Sequence, residues 1–192
     1  MTLRRLWTGS LALVAVAILV AWVGSHYRLF RPPYHGLGKE IAWLVGEPEA
    51  AYNFDTVGPG YILRSSLPDG RFVEYLRDEY GLQRIVSLIG ETPAHAKARA
   101  LGIEVTTYEW SSDHLPPENE LQAVLGLLDE PTPVLVHCKG GLDRTGYTMA
   151  LYRVTREGWT LEDARREMTS YWHVPERHPG VHAGLRDSLG TR

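Results

Sequence analysis

Apolar positions fall unevenly along the chain, and each stretch has its own period. From Leu6 to Val23 the run LWTGSLALVAVAILVAWV carries no charged side chain over 18 residues. That is close to the roughly 20 residues a helix needs to cross a bilayer. Further on, Arg84–Ile89 (RIVSLI) and Val134–His137 (VLVH) are short and almost continuously apolar, the pattern of strands buried on both faces. Tyr61-Ile62-Leu63 predicts another short strand, and Ile103–Trp110 (IEVTTYEW) a strand that runs into the loop Ser111–Pro117. Elsewhere the period is helical. Phe72, Tyr75 and Leu76 share one face, and Leu121, Val124, Leu125 and Leu128 form one stripe of a helix over Pro117–Leu128.

Capping and breaking residues divide these stretches. Pro68-Asp69 opens a helix that Gly81 ends, and Thr92-Pro93 opens one that runs to Leu101 and stops at Gly102. Thr145–Glu157 reads as a helix ended by Gly158. Thr160 caps the next, with Asp163 at its third position, and that helix reaches Tyr171. Lys39–Val45 reads as a short helix, Arg31-Pro32-Pro33 as a stiff exit and Thr56–Gly60 as a turn. The alternation predicts an α/β fold with a mainly parallel central sheet of about four or five strands, helices on both faces, and one N-terminal transmembrane helix before it. The partition is 1–31 membrane anchor or signal peptide, 32–60 linker and lead-in, 61–173 the α/β domain, and 174–192 a C-terminal tail with room for a short packed helix.

Charge and flanking residues refine the N-terminal reading. Trp7 and Trp22 sit near the ends of the apolar run, Arg4 and Arg5 precede it, and Arg28 and Arg31 follow it. With two Arg on each side the orientation by charge is tied and topology stays open; a short tail with two Arg normally stays inside, which would put the rest outside the cytoplasm. Val23-Gly24-Ser25 is a poor cleavage site, so the run reads as an uncleaved anchor, with a cleaved signal peptide as the alternative. The formal net charge is −3, but residues 1–31 hold four Arg and no acid, which leaves −7 for residues 32–192. An acidic body argues against a nucleic-acid partner. A single Cys excludes an internal disulfide and a cysteine-based zinc site.

The densest chemistry is the stretch HCKGGLDRTG, His137 to Gly146, between a buried strand and a helix. Backbone N–H groups of a loop that wraps ahead of a helix form an anion nest, to which the helix N-terminus adds positive charge. Gly140, Gly141 and Gly146 allow close backbone approach. Lys139, Gly140, Gly141, Leu142 and Asp143 form the loop. Arg144 offers a fork for two phosphate oxygens. At the base stands Cys138, whose thiolate form the same field favours. A thiolate beneath a phosphorus atom is set for in-line attack and a cysteinyl-phosphate intermediate.

This Cys-x5-Arg loop after the last strand resembles the signature loop of the protein tyrosine phosphatase superfamily, closest to its dual-specificity branch. Leu63-Arg64-Ser65-Ser66-Leu67-Pro68 resembles the opening segment of bacterial relatives, Arg84–Leu88 their second strand, and Tyr152–Trp159 with Ala164–Met168 their later helices. The pattern is similar to membrane-anchored or periplasmic dual-specificity phosphatases of Gram-negative bacteria. The resemblance implies phosphomonoester hydrolysis with no cofactor and no metal, at a single-pass inner-membrane protein whose catalytic domain is periplasmic. It assigns Cys138 as nucleophile, Arg144 as phosphate ligand, Thr145 as the hydroxyl that assists thiolate departure, and His137 as a support of the loop.

A general acid must protonate the leaving oxygen. Asp113, 25 residues before Cys138 in the loop after the third strand, is the first candidate, and Asp143 beside Arg144 the alternative. The implied partner is a phosphorylated protein, phosphotyrosine first and phosphoserine or phosphothreonine next. Lys139 keeps a phosphoinositide or sugar phosphate open as substrate, although Leu142 stands where lipid-phosphatase loops carry a second Lys. A phosphate-binding module without turnover is the third reading; the intact Cys138 and Arg144 weigh against it.

Overall fold

The computed structural model describes residues 14, 16–20, 22–23, 33 and 35–190. The chain divides into two units, Met1–Tyr52 and Asn53–Arg192. In the first, α1 (Leu37–Leu44) occupies the short helix expected over Lys39–Val45, and α2 (Pro48–Ala51) follows it. The predicted membrane helix over 6–23 falls largely outside the described residues. Residues 14, 16–20 and 22–23 are helical, and among the described residues no helix is long and apolar enough to cross a membrane.

The second unit runs β1 (Asp55–Val57), β2 (Ile62–Ser65), α3 (Gly70–Tyr80), β3 (Arg84–Ser87), α4 (Pro93–Ala100), β4 (Glu104–Thr107), α5 (Glu118–Leu128), β5 (Val134–His137), α6 (Asp143–Arg156), α7 (Leu161–Ser170) and α8 (Pro179–Gly190). The described strands form a mixed five-stranded sheet in the order β1-β2-β5-β3-β4. Pairings β2–β5, β5–β3 and β3–β4 are parallel, and β1 pairs antiparallel with β2. The edge strand β1 takes up part of the stretch expected to be only a turn. With three residues and one buried side chain it has no alternation to read; it exists because β2 offers it an edge.

Alternation along the strands gives the sheet two buried faces. Ile62, Val86, Val134 and Val136 cluster with Leu121, Val124, Leu125 and Leu128 of α5 and with Met149, Ala150, Ala164 and Met168 of α6 and α7. Leu63, Ile85 and Leu135 point the other way and are equally buried, as are Phe72, Val73 and Leu76 of α3 and Ala98 of α4. Local chemistry starts the helices. The Asp69 carboxylate accepts the Phe72 N–H at 2.9 Å ahead of α3, and the Thr160 hydroxyl accepts the Asp163 N–H at 3.1 Å ahead of α7; such caps contribute about 1 kcal/mol each. The tail does hold a helix: Val181 and Leu185 of α8 are buried.

Strand β5 is central. Its last residue, His137, lies between Ser65 of β2 and Ser87 of β3. The loop that follows therefore leaves the carboxyl edge at the middle of the sheet, where open α/β sheets bind ligands.

Candidate active site

The loop 138–142 packs onto the backbone of β2. A Cβ at Gly141 would lie 2.7 Å from Ser65 C and Ser66 N, and its φ of +68° is in the left-handed region; glycine meets both demands. The Gly141 N–H donates to Cys138 Sγ at 3.2 Å, and Cys138 is buried. Behind the loop, Asn53 Nδ2 donates to the Gly140 carbonyl at 3.3 Å and Arg64 Nη2 to the Gly141 carbonyl at 2.7 Å. A trans peptide holds its C=O and N–H on opposite sides. Pulling these two carbonyls backward thus turns the N–H groups of Gly141 and Leu142 forward. The Leu67 N–H anchors the front of the loop through the Lys139 carbonyl at 3.2 Å. The Lys139 side chain is exposed.

Helix α6 begins at Asp143, two residues earlier than expected, with Leu142 as its N-cap residue. Thr145 is therefore inside the first turn and does not cap the helix. It is fully buried, and its hydroxyl has no protein partner among the described residues. Arg144 Nη1 donates to the Trp110 carbonyl at 2.9 Å, while its buried Nε has no partner among the described residues. This ties the signature loop to the start of the loop that carries Asp113.

Both acid candidates have partners that the sequence did not suggest. Asp113 is exposed, and its Oδ1 lies 3.0 Å from His178 Nδ1. Asp143 Oδ1 lies 2.7 Å from His173 Nδ1, and its Oδ2 3.4 Å from His178 Nε2. Asp143 pairs with these histidines and not with Arg144.

His137 is fully buried, and its Nε2 is 3.3 Å from Nε2 of the buried His95. Burial, and next the neighbouring His95, push His137 down to about 3. Burial likewise lowers His95, against the opposing pull of Glu91. Two Nε2 atoms in contact share one proton, which excludes a pair with both rings protonated. His137 Nδ1 faces the Cys138 carbonyl at 3.5 Å, the position of a support behind the loop.

The tyrosine phosphatase family model matches residues 95–154. The dual specificity protein phosphatase TpbA of Pseudomonas aeruginosa is 29% identical over 109 residues, 56% of this chain and 49% of the relative. The crystal structure of P. aeruginosa TpbA superimposes with a TM-score of 0.60 at 25% identity, over 71% of this chain and 85% of that one. These likenesses are to the protein tyrosine phosphatase superfamily, in its dual-specificity-like branch. A second solved structure of similar fold is the core catalytic domain of PP-IP phosphatase SIW14 from S. cerevisiae, in complex with citrate. Its TM-score is 0.57 at 27% identity, over 62% of this chain and 76% of that one. The match to TpbA spans about half the length of that curated relative.

Several residues that hold the loop have no signal in the sequence that points to it. Arg64 was visible only as part of a resembling segment, yet an arginine inside an apolar strand was a usable signal, since such a residue is buried only with partners. Asn53, His95, His173 and His178 carried no spacing that linked them to the loop.

Proposed function

We propose that this protein is a cysteine-dependent phosphomonoester hydrolase that acts on phosphotyrosine proteins, with phosphoserine and phosphothreonine as further substrates. The observation that carries the reading is the Gly141 N–H on Cys138 Sγ at 3.2 Å, in a loop whose carbonyls are drawn away from it by Asn53 and Arg64. That geometry supplies N–H donors for phosphate oxygens and stabilises negative charge on sulfur.

In this mechanism Cys138 Sγ attacks phosphorus as the bond to the leaving oxygen breaks. Arg144 and the loop N–H groups hold the remaining oxygens, and a carboxylic acid, Asp113 first and Asp143 as alternative, gives the leaving oxygen its proton. Water then attacks the cysteinyl phosphate as the S–P bond breaks, the carboxylate left by the first step takes the water's proton, and the Thr145 hydroxyl donates to the departing thiolate. His137 supports the loop from behind. No step requires a metal or cofactor. The likeness to TpbA, named a dual specificity protein phosphatase, supports the protein substrate. The charge-free run 6–23 supports a membrane-tethered placement, and the two Arg of the short tail before it support a periplasmic one.

A second reading, a non-protein phosphate substrate, is favoured by the exposed Lys139 in the loop and by the likeness to SIW14, named a PP-IP phosphatase. Phosphate release by the full chain separates the two. A phosphotyrosine peptide and a soluble phosphoinositide are compared without metal, with Cys138→Ser as the blank. Faster turnover of the peptide is the expected result. Faster turnover of the phosphoinositide favours the second reading, and turnover equal to the blank on both defeats the hydrolase reading.

A further inference from the structure

The ring of His178, in the segment that leads into α8, stands between the two acid candidates. Its Nδ1 is 3.0 Å from Asp113 Oδ1 and its Nε2 is 3.4 Å from Asp143 Oδ2. Asp143 immediately precedes Arg144, and its other oxygen is taken by His173 at 2.7 Å. One imidazole thus links the acid loop to the first turn of the signature helix.

The α8 backbone approaches the same loop. A Cβ at Gly180 would lie 2.7 Å from the Asp113 carbonyl oxygen, and one at Gly184 would lie 2.2 Å from the Leu115 side chain. At its other end the loop is tied by Arg144 Nη1 on the Trp110 carbonyl. The four side chains Asp113, Asp143, His173 and His178 are not arranged to hold a metal. Asp113 is 65% exposed, so its pair with His178 adds little to stability. What the contact does accomplish is to restrict the exposed carboxyl group of Asp113.

We propose that His178 is a positioning residue for the general acid: it holds Asp113 in register with the signature loop, using Asp143 as its fixed point. This rests on the hydrolase reading above. When Asp113 gives its proton to the leaving oxygen, the carboxylate that forms accepts the hydrogen bond from His178 Nδ1–H. Asp143 orients the ring from the other side, and His173 orients Asp143. The interaction strengthens as charge develops on Asp113, so it favours the transition state over the ground state.

The test compares kcat/KM of the full chain on p-nitrophenyl phosphate, whose leaving group departs readily as an anion, and phenyl phosphate, whose leaving group needs the proton. In Asp113→Asn the ratio of the two should rise by roughly 10²-fold, the usual worth of a general acid. In His178→Ala it should rise by about 10-fold, and the double variant should match Asp113→Asn alone. His178→Asn keeps a donor near the Nδ1 position and should restore most of the ratio. His178→Leu, with similar bulk and no donor, should not, so the Asn and Leu pair decides the matter if the Ala variant fails to fold. A purely structural role for His178 lowers both substrates together and leaves the ratio at the wild-type value, which would overturn the proposal. Wild-type turnover no greater than that of Cys138→Ser would overturn the hydrolase reading and this inference with it, a different result from an unchanged ratio.

Discussion

Arg64 Nη2 donates to the Gly141 carbonyl at 2.7 Å from a fully buried strand position, and its guanidinium lies 3.5 Å above the Tyr171 ring. The arginine is thus sandwiched between the loop 138–142 and the end of α7. It fixes one peptide of the loop and adds positive charge behind it. Replacing Arg64 with Met keeps the bulk and removes donor and charge. We expect a stability loss of about 2 kcal/mol, the scale of a hydrogen bond to a charged group, read as a lower urea midpoint. Inhibition by inorganic phosphate should weaken in parallel. Arg64→Lys should recover little, because a lysine cannot reproduce a planar donor stacked on an aromatic face.

Gly141 offers a sharper change at the same peptide. An added methyl meets the β2 backbone at 2.7 Å and must sit at a φ of +68°. Backbone cannot yield as a side-chain tip can, so Gly141→Ala should displace the loop. We expect turnover to fall to the level of Cys138→Ser while the far-ultraviolet circular dichroism keeps its helical shape. A near wild-type rate would mean that the loop is not under the constraint described.

The buried histidine pair gives a pH dependence of definite sign. His137 has an ordinary value of 6.5 and is held down to about 3 by burial and by His95. Between those values the unfolded chain binds a proton that the folded chain refuses. The stabilisation is complete above pH 6.5 and is lost as pH falls from there toward 3. His95 is shifted in the same direction. Urea midpoints should therefore decline from pH 7.5 to 5, the unfolding free energy falling with a slope that approaches about 1.4 kcal/mol per pH unit for His137. His137→Gln should flatten the slope; an equally steep decline in that variant would assign it to other groups.

Away from the site, Arg153 joins α6 to α7. Its Nη2 and Nε reach Glu167 Oε1 at 2.8 and 3.1 Å, and its Nη1 reaches Glu157 at 2.7 Å. The Arg153 and Glu167 side chains are only 14% and 11% exposed. Removing one partner of a pair this enclosed leaves a charge without compensation, so Arg153→Ala should cost about 3 kcal/mol. Thermal unfolding would show it as a lower Tm, with kcat unchanged at temperatures where the variant is folded.

Most of the helices and parallel strands were legible in the sequence because their signals are local. Asp69 and Thr160 cap helices within three residues of themselves, and the apolar runs over 84–89 and 134–137 are strands under almost any packing. The signature loop was legible for the same reason: its cysteine, glycines and arginine follow one another along ten residues. The start of α6 at Asp143 was missed because Thr145 looks like a cap, whereas the loop peptides already turn into the helix before it.

What the tertiary structure alone decided are the contacts between residues far apart in the chain. Arg64 and Gly141 are 77 positions apart, and Asp113 and His178 are 65 apart. No period or spacing connects such pairs. They meet because β5 threads between β2 and β3, so that β2 lies beneath the loop, and because α8 returns across the acid loop. The sequence determined which groups stand together as candidates for the chemistry, since the cysteine, the glycine-rich loop and the helix terminus are neighbours along the backbone. Sheet order and burial determined which groups hold them in place, since a hydrogen bond depends on distance in space and not on separation along the chain.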